Sequence, residues 1–528
     1  MRMRLFSMAL VLLFSVALSC AQDASFYRKY AEKGDKEAMF NLANCYLNGT
    51  GGVAQDQVWG AYWLQKAAKK KYAPAQVSLA YCYALGTGVA QNGSEAYKWT
   101  QKAVKQKHVP AYYLMALLFK NGIGVTQSDK WYWEFLLLAA NNGDAAGMSD
   151  VGYHCLYGYS AANIKQDYAA AVYYLQKASD LGNAQAKRLM GVCYEYGTGV
   201  VENFETAMRY YKEAADLGDA SCQSRMGDDY LYGWTVDVDY DAAINYIVAA
   251  SKQEFAYSYK QIGDIYNYGL GVAEDNEAAA QWYQKAVDEE VVSAYSRLAD
   301  MYLNGEGVIE NETKAFNLYK TGAEKEDVAS FCGLGICYEN GYGTSKNVYR
   351  ALTYYKKAAE QDNIYACKQL YFLYREGEEV AQDKSQALSY LKQAVAKDDL
   401  GAIYNLGYEY YMGELLPEDL NKAMAYMLKS ADGGYTFACA VVGTMYYDGE
   451  TGMAYKDYNK AFKYLSKAID DPAALNESLL ADVYRKLGAC YRFGRGTEKN
   501  QSLASYYTEQ AAKYGDADSL NAVKMLRK

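Results

Sequence analysis

Residues 294–329 read AYSRLADMYLNGEGVIENETKAFNLYKTGAEKEDVA, and the spacing within these 36 residues decides the fold. Ala294, Leu298, Ala299 and Tyr302 stand at positions 0, 4, 5 and 8, which puts them on one face of a helix. Gly305 follows at position 11, where a helix end needs a residue that accepts the left-handed conformation. Ala315, Tyr319 and Gly322, at 21, 25 and 28, mark the buried face of a second helix. The unit is a helix A, a turn and a helix B.

The same spacing recurs in both directions. Ala75-Leu79-Ala80-Tyr83-Gly86 and Ala186-Met190-Gly191-Tyr194-Gly197 are two further copies. Copies begin at residues 38, 75, 111, 147, 186, 222, 258, 294, 330, 366, 402, 438 and 483, with steps of 37, 36, 36, 39, seven of 36, and 45. One helix pair cannot bury its own apolar face, so neighbours must stack. The expected fold is all-α: a right-handed α/α superhelical solenoid of about thirteen 36-residue repeats. Residues 22–37 read as an N-terminal half-repeat cap, 38–517 as the repeats and 518–528 as a C-terminal capping helix. Lys524, Arg527 and Lys528 in that last helix suit a helix C-terminus.

Composition agrees. The 528 residues include only 4 Pro, which breaks helix interiors, and 58 Tyr. Hydrophobic residues make up 51% and charged residues 22%, enough to build a core and too few charges for disorder. With two His, His108 and His154, the chain has little material for a His-based metal site or catalytic centre, and no cofactor is expected. A net charge of −9 disfavours nucleic acid as the partner.

The pattern resembles the SEL-one-like repeat family, relatives of the tetratricopeptide repeat, over essentially all of residues 24–528. Some copies depart from it. Phe119 and Cys155 replace the Tyr of the third and fourth, and the fourth turn is about three residues longer. The sixth and the tenth to twelfth lose the second turn glycine, and Tyr371 stands where Gly or Ala is expected. The step of 45 places about nine extra residues mostly between Ile469 and Val483.

Residues 1–21 read as an export leader: Arg2 and Arg4, then an apolar run Leu5–Leu18 too short to span a bilayer. Two cleavage readings stand side by side. Ser19-Cys20-Ala21 suits an ordinary signal peptidase, and Ala17-Leu18-Ser19-Cys20 resembles a lipobox in which Cys20 would carry a lipid anchor. The expected location is outside the cytoplasm, as a periplasmic, secreted or lipid-anchored protein of a bacterial envelope. Export raises the question of disulfides for the ten later cysteines. Five of them (Cys45, Cys82, Cys193, Cys337, Cys490) occupy position 7 beside the core Tyr, where a thiol packs well. A cysteine-rich branch of the resembled family pairs cysteines eight residues apart, but this chain has Ala or another small residue near position 28. Core thiols are therefore expected.

Two motifs invite chemistry. The Gly-x-Gly turns, such as Gly86-Thr87-Gly88-Val89, close a helix rather than open one, so they are not phosphate loops. Ser389-x-x-Lys392 and Lys320-Thr321-Gly322 match elements of penicillin-recognising enzymes, but the Ser-Asp-Asn element is missing and both matches fall within regular B helices two repeats apart. The cysteine-rich branch includes proteins described as weak β-lactamases, which keeps a cell-wall or β-lactam hydrolase as the least favoured alternative. The chain is read as non-catalytic.

In the related tetratricopeptide arrays, helix A lines a concave groove, and the resemblance maps that groove onto positions 2, 6, 9 and 10. Asp228, Asp264 and Asp300 then form a ladder at position 6, with Tyr232 and Tyr268 one turn on at position 10, where Tyr157 and Tyr196 also stand. Tyr81, Tyr153 and Tyr408 share position 6, and Tyr113 and Tyr404 share position 2. Residues 215–310 carry 5 Lys/Arg against 18 Asp/Glu, whereas 23–140 carry 14 against 8. As ordinary helix pairs, Arg225–Asp228, Arg297–Asp300 and Lys260–Asp264 would merely solvate an acidic face. As a groove, Tyr beside Asp reads as a binding surface for a cationic segment of a partner protein or peptide. The resemblance implies a scaffold or adaptor for macromolecular assembly. The alternative is a carbohydrate-binding envelope protein, because aromatic faces also stack on sugars.

Overall fold

The computed structural model describes residues 23–449 and 454–520, and helices form all the regular structure there apart from one isolated bridge, Tyr159–Ile164. The leader, Cys20 and most of the expected C-terminal helix lie outside the described residues. Each repeat is a helix A followed by a helix B, as in Val292–Asn304 and Glu312–Glu324. Helix A usually begins two residues before the small residue at position 0, and a preceding helix Ala24–Glu32 packs on the first repeat.

Polar side chains set the helix starts. The B helices open on Asp, Asn or Ser N-caps whose side chains accept a backbone N–H, for example Asn92 from Glu95 at 3.1 Å and Asn347 from Arg350 at 3.0 Å. Helix A of the second and third repeats has no such cap, and there Pro74 and Pro110 occupy the first turn, where the missing N–H costs nothing. Many A helices end on a left-handed glycine such as Gly305. The second turn glycine has a different reason. A Cβ on Gly88 would lie 1.9 Å from the Gln57 carbonyl oxygen, and one on Gly307 would lie 2.1 Å from that of Asn276. Gln57 and Asn276 begin helix B of the preceding repeat, so this glycine admits a close contact between repeats.

Within a repeat, positions 5 and 25 meet: a Cβ on Gly191, Gly263 or Gly335 would strike the ring of Tyr211, Tyr283 or Tyr355 at 2.3–2.6 Å. Positions 8 and 24 also meet, and the tyrosines stack in parallel. Tyr338 and Tyr354 lie 5.7 Å apart at 3°, Tyr410 and Tyr426 5.8 Å apart at 4°. Such pairs explain much of the tyrosine content as core, each adding roughly 0.5–1.5 kcal/mol beyond its buried area. The ten cysteines after Cys20 are buried thiols, and burial pushes Cys82 up to about 12 and Cys490 up to about 11. Raised in this way, Cys82 and Cys490 stay protonated at neutral pH.

The departures have local answers. In the fourth repeat the longer turn folds back as the Tyr159–Ile164 bridge, and Tyr159 lies on His154 at 4.4 Å. The extra residues before the last repeat form a short turn of helix, Pro472–Ala474, and lengthen the next helix to Glu477–Phe493. The described chain divides into two compact units, residues up to 262 with 270–272, and 263–269 with 273 onward. Each has its own buried cores.

Candidate functional site

Consecutive A helices touch through positions 2 and 3. Tyr113 donates to Asp150 at 3.0 Å, and Ser224 and Gln261 exchange two hydrogen bonds, with the Ser224 hydroxyl donating at 2.7 Å. The expected groove residues differ in how far they reach solvent. Tyr153, Tyr232 and Tyr268 are exposed, and Tyr113, Asp228, Asp300 and Tyr408 are half-buried. Tyr81, Asp264 and Tyr404 are buried, which corrects the expectation that they line an open surface. Asp264 is covered by Tyr283 of its own helix B, and Tyr404 packs among Tyr408, Tyr435 and Phe437.

The acidic ladder is taken up from inside. Asp264 is 2% exposed and accepts the Tyr283 hydroxyl at 2.8 Å. Asp300 accepts from Tyr319, and burial pushes its carboxyl up. Both tyrosines stand at position 25 of the same repeat. Where the acid sits at position 9 instead, the same tyrosine reaches it: Tyr211 to Glu195 at 2.5 Å and Tyr355 to Glu339 at 2.6 Å. Arg225 reaches beyond its own helix. It grips Glu195 of the preceding repeat through two nitrogens, at 2.7 and 3.3 Å, with its guanidinium over the Tyr211 ring at 4.3 Å. Burial acts to raise the Glu195 carboxyl, but Arg225 and Tyr211 outweigh it and hold the group below its ordinary range. In the second unit, Tyr371, the residue out of pattern, donates at 2.5 Å to buried Glu409, which Arg375 also binds. Much of the local acid is thus structural: the position-25 tyrosines tie helix B to helix A within a repeat, and Arg225–Glu195 and Tyr371–Glu409 join neighbouring repeats.

Position 10 behaves differently. Tyr157, Tyr196 and Tyr232 in the first unit, and Tyr268 in the second, all expose their rings at the end of helix A. The sequence pattern did not single out Trp234, which is exposed and stacked on Tyr232 at 5.3 Å and 25°. Its position follows from the lost turn glycine. Thr235 replaces that glycine, and the buried Asp229 carboxylate accepts both its N–H, at 2.9 Å, and its hydroxyl. Beside this turn, a cleft of about 440 Å³ runs past Arg225, Asp228, Trp234 and Tyr257. A Tyr or Asp at a groove position was the available sequence signal, whereas the turn chemistry that presents Trp234 shows only in three dimensions.

Among the described residues no cluster of His, Cys, Asp and Glu is arranged to hold a metal ion, and no helix is long and apolar enough to cross a membrane. Ser389 and Lys320 lie in the B helices Lys384–Ala396 and Glu312–Glu324.

Paired helices, lateral packing of the A helices and a recurring exposed position define a helix-pair repeat protein. Thirteen segments, running from 36–72 through 292–327 to 481–516, match the Sel1 repeat family model, and the chain belongs to that family. No curated protein matches the chain. Among solved structures it is similar to a protective antigen of uropathogenic Escherichia coli with an SLR fold, at 27% identity and a TM-score of 0.47, covering 88% of this chain and 93% of that one. A Sel1 repeat protein of Oxalobacter formigenes is similar at 23% identity and a TM-score of 0.44, covering 60% and 90%. Sel1 repeat proteins generally mediate protein–protein interaction and are typically non-catalytic scaffolds.

Proposed function

We propose that this protein is an exported, non-catalytic scaffold that binds a partner protein or peptide along the face formed by its A helices. The observation that carries this reading is the register of the exposed aromatics: Tyr157, Tyr196 and Tyr232 occupy the same position in three successive repeats, outside every core stack. Exposed aromatic surface repeated in register marks an interaction site more often than a solvated one. The acidic balance of the stretch that holds Tyr232, 11 Asp/Glu against 5 Lys/Arg over residues 201–262, favours a positively charged partner segment at that end of the register and speeds its approach. Export rests on the leader at residues 1–21, and the mature N-terminus read by mass spectrometry distinguishes cleavage after Ala21 from a lipid on Cys20.

The test is cross-linking and co-purification from the native envelope, with the Tyr157→Ala/Tyr196→Ala/Tyr232→Ala variant beside the wild type. A partner recovered by the wild type and lost from the variant supports the reading. Equal recovery by both places the binding face elsewhere.

A further inference from the structure

The B helices of the first two repeats, Gln57–Lys69 and Gly93–Lys105, both pack on the A helix between them, Ala73–Leu85. Residues 57–72 hold Lys66, Lys69, Lys70 and Lys71 and no acid. Residues 93–108 hold Lys98, Lys102, Lys105 and Lys107 against Glu95 alone, and Glu95 is paired with Lys98 at 2.7 Å. All of these lysines are exposed. Apart from Lys98, none of them has a carboxylate within ion-pair distance among the described residues. Lys66 lies instead over the Tyr62 and Trp63 rings, at 4.6 and 4.8 Å, and Lys102 over Trp99 at 3.6 Å.

The second unit shows how such lysines are neutralised elsewhere in the chain. The turn from helix B to the next helix A takes a residue with positive φ, and Glu290, Asp362 and Asp398 stand there. Each pairs with a lysine one repeat on: Lys325 with Glu290 at 3.4 Å, Lys397 with Asp362 at 2.7 Å and Lys429 with Asp398 at 2.9 Å. In the first two repeats the same turn position is itself lysine, Lys71 and Lys107, and before them it is Gly34. The Lys70 ammonium lies 3.1 Å from where a Cβ on Gly34 would be, so it reaches a turn that has no carboxylate to offer. Apolar surface shares this face. Val58, Trp59, Tyr62, Lys66 and Lys69 fall within about 120° of arc at helical spacing. Val58 and Trp59 are 68% and 49% exposed.

We propose that the outward face of these two B helices rests on an anionic phospholipid bilayer, with the lysines at the headgroup phosphates and Val58 and Trp59 in the interface. Clustered lysines are drawn to an anionic surface, and tryptophan settles at headgroup depth. Lys66 and Lys102 keep their stems on aromatic rings and present the ammonium outward. The leader ends at residue 21, just before the helix Ala24–Glu32 that packs on the first repeat, so a lipid on Cys20 would hold the same repeats at the membrane. This face is on the B helices and goes beyond the partner-binding reading, which concerns the A helices.

The probe is a vesicle of phosphatidylcholine with about 30% phosphatidylglycerol, beside one of phosphatidylcholine alone, read by co-sedimentation at about 0.1 M salt. Residues 22–528 are used, so that neither the leader nor a lipid contributes. Their overall charge is negative, so binding to the anionic vesicle reports a local basic face. The protein should bind the anionic vesicle, ignore the neutral one and be released as salt rises to about 0.5 M. Each lysine at an anionic surface contributes roughly five-fold, so Lys66→Gln/Lys69→Gln/Lys102→Gln/Lys105→Gln should lose about 100-fold or more. Trp59→Ala should lose several-fold. Lys320→Gln/Lys392→Gln/Lys499→Gln/Lys513→Gln, which removes as many exposed lysines from the second unit, should bind almost as the wild type does. Circular dichroism checks that each variant keeps its helix. Equal binding of the two vesicles, undiminished binding by the first lysine variant or by Trp59→Ala, or an equal loss from the second-unit variant would overturn the proposal. So would a DNA oligonucleotide bound through the same lysines with no vesicle bound. Tyr157→Ala/Tyr196→Ala/Tyr232→Ala should bind vesicles normally, so this inference and the scaffold reading fail separately.

Discussion

Tyr283 shows how one hydroxyl serves a buried carboxyl group. Its O–H is the donor that Asp264 receives at 2.8 Å inside the repeat. Tyr283→Phe should cost about 1–3 kcal/mol in urea unfolding, because the carboxylate loses a partner while staying out of water. Tyr196→Phe, on an exposed ring, should change stability by less than about 0.5 kcal/mol. His154 is the second informative residue. Burial, aided by the charge of Lys120, lowers it to about 4, its Nε2 lies 2.8 Å from the Tyr132 hydroxyl, and its Nδ1 has no hydrogen-bond partner. A histidine lowered on folding takes up its proton first in the unfolded state. Stability should therefore fall as pH drops from about 6.5 to about 4, by up to roughly 3 kcal/mol from this group. Asp150, held up by burial in the same cluster, acts in the opposite sense at the acid end. The difference between wild type and His154→Gln across that window isolates the histidine; parallel pH curves would contradict the assignment.

At the scale of the element, caps and turns carry the definition of each repeat. Asn347 holds the first turn of Val348–Ala359, so Asn347→Ala should lower the unfolding free energy by about 0.5–2 kcal/mol. Gly307 and Gly218 both take positive φ, but only Gly307 faces backbone: a Cβ there meets Asn276 at 2.1 Å, whereas nothing lies within 4 Å of one on Gly218. Gly307→Ala should consequently destabilise more than Gly218→Ala, since both share the conformational penalty and only the first must also push neighbouring repeats apart. Equal melting losses in the two variants would show that the close approach carries no energy. The contact that separates their roles joins different repeats and has no local signature.

For the molecule as a whole, most of the holding contacts are between neighbours. Arg225 reaches Glu195 one repeat back, Lys368 pairs with Asp399 at 3.2 Å one repeat on, and Lys397 pairs with Asp362 at 2.7 Å across a further junction. Stability in such an array is close to a sum of repeat and junction terms. Deleting residues 294–329, one full period, should leave a shorter helical protein that unfolds cooperatively. Deleting 311–329 alone should not, because Val292–Asn304 would lose the helix that covers it. Circular dichroism and denaturant midpoints of the two deletions provide the check.

The sequence by itself determined the helix pairs, their number and most of their cores, because the 36-residue spacing is a local property and each copy repeats the evidence. It also marked Tyr232 and Tyr268 as exposed. It could not separate Asp264 from Asp228, since both stand at position 6 of their repeats, yet Asp264 is buried beneath Tyr283 of helix B and Asp228 is only half-buried. Nor could it place Trp234, whose exposure depends on Asp229 holding a turn that lacks its glycine. Tyrosine abundance looked like a binding signature, yet pairs such as Tyr338 and Tyr354 use it inside the repeat. The physical reason is the same in each case. Periodicity fixes which face of a helix is apolar, but the distance between adjacent helices, which only tertiary packing sets, decides which polar and aromatic side chains remain on the outside.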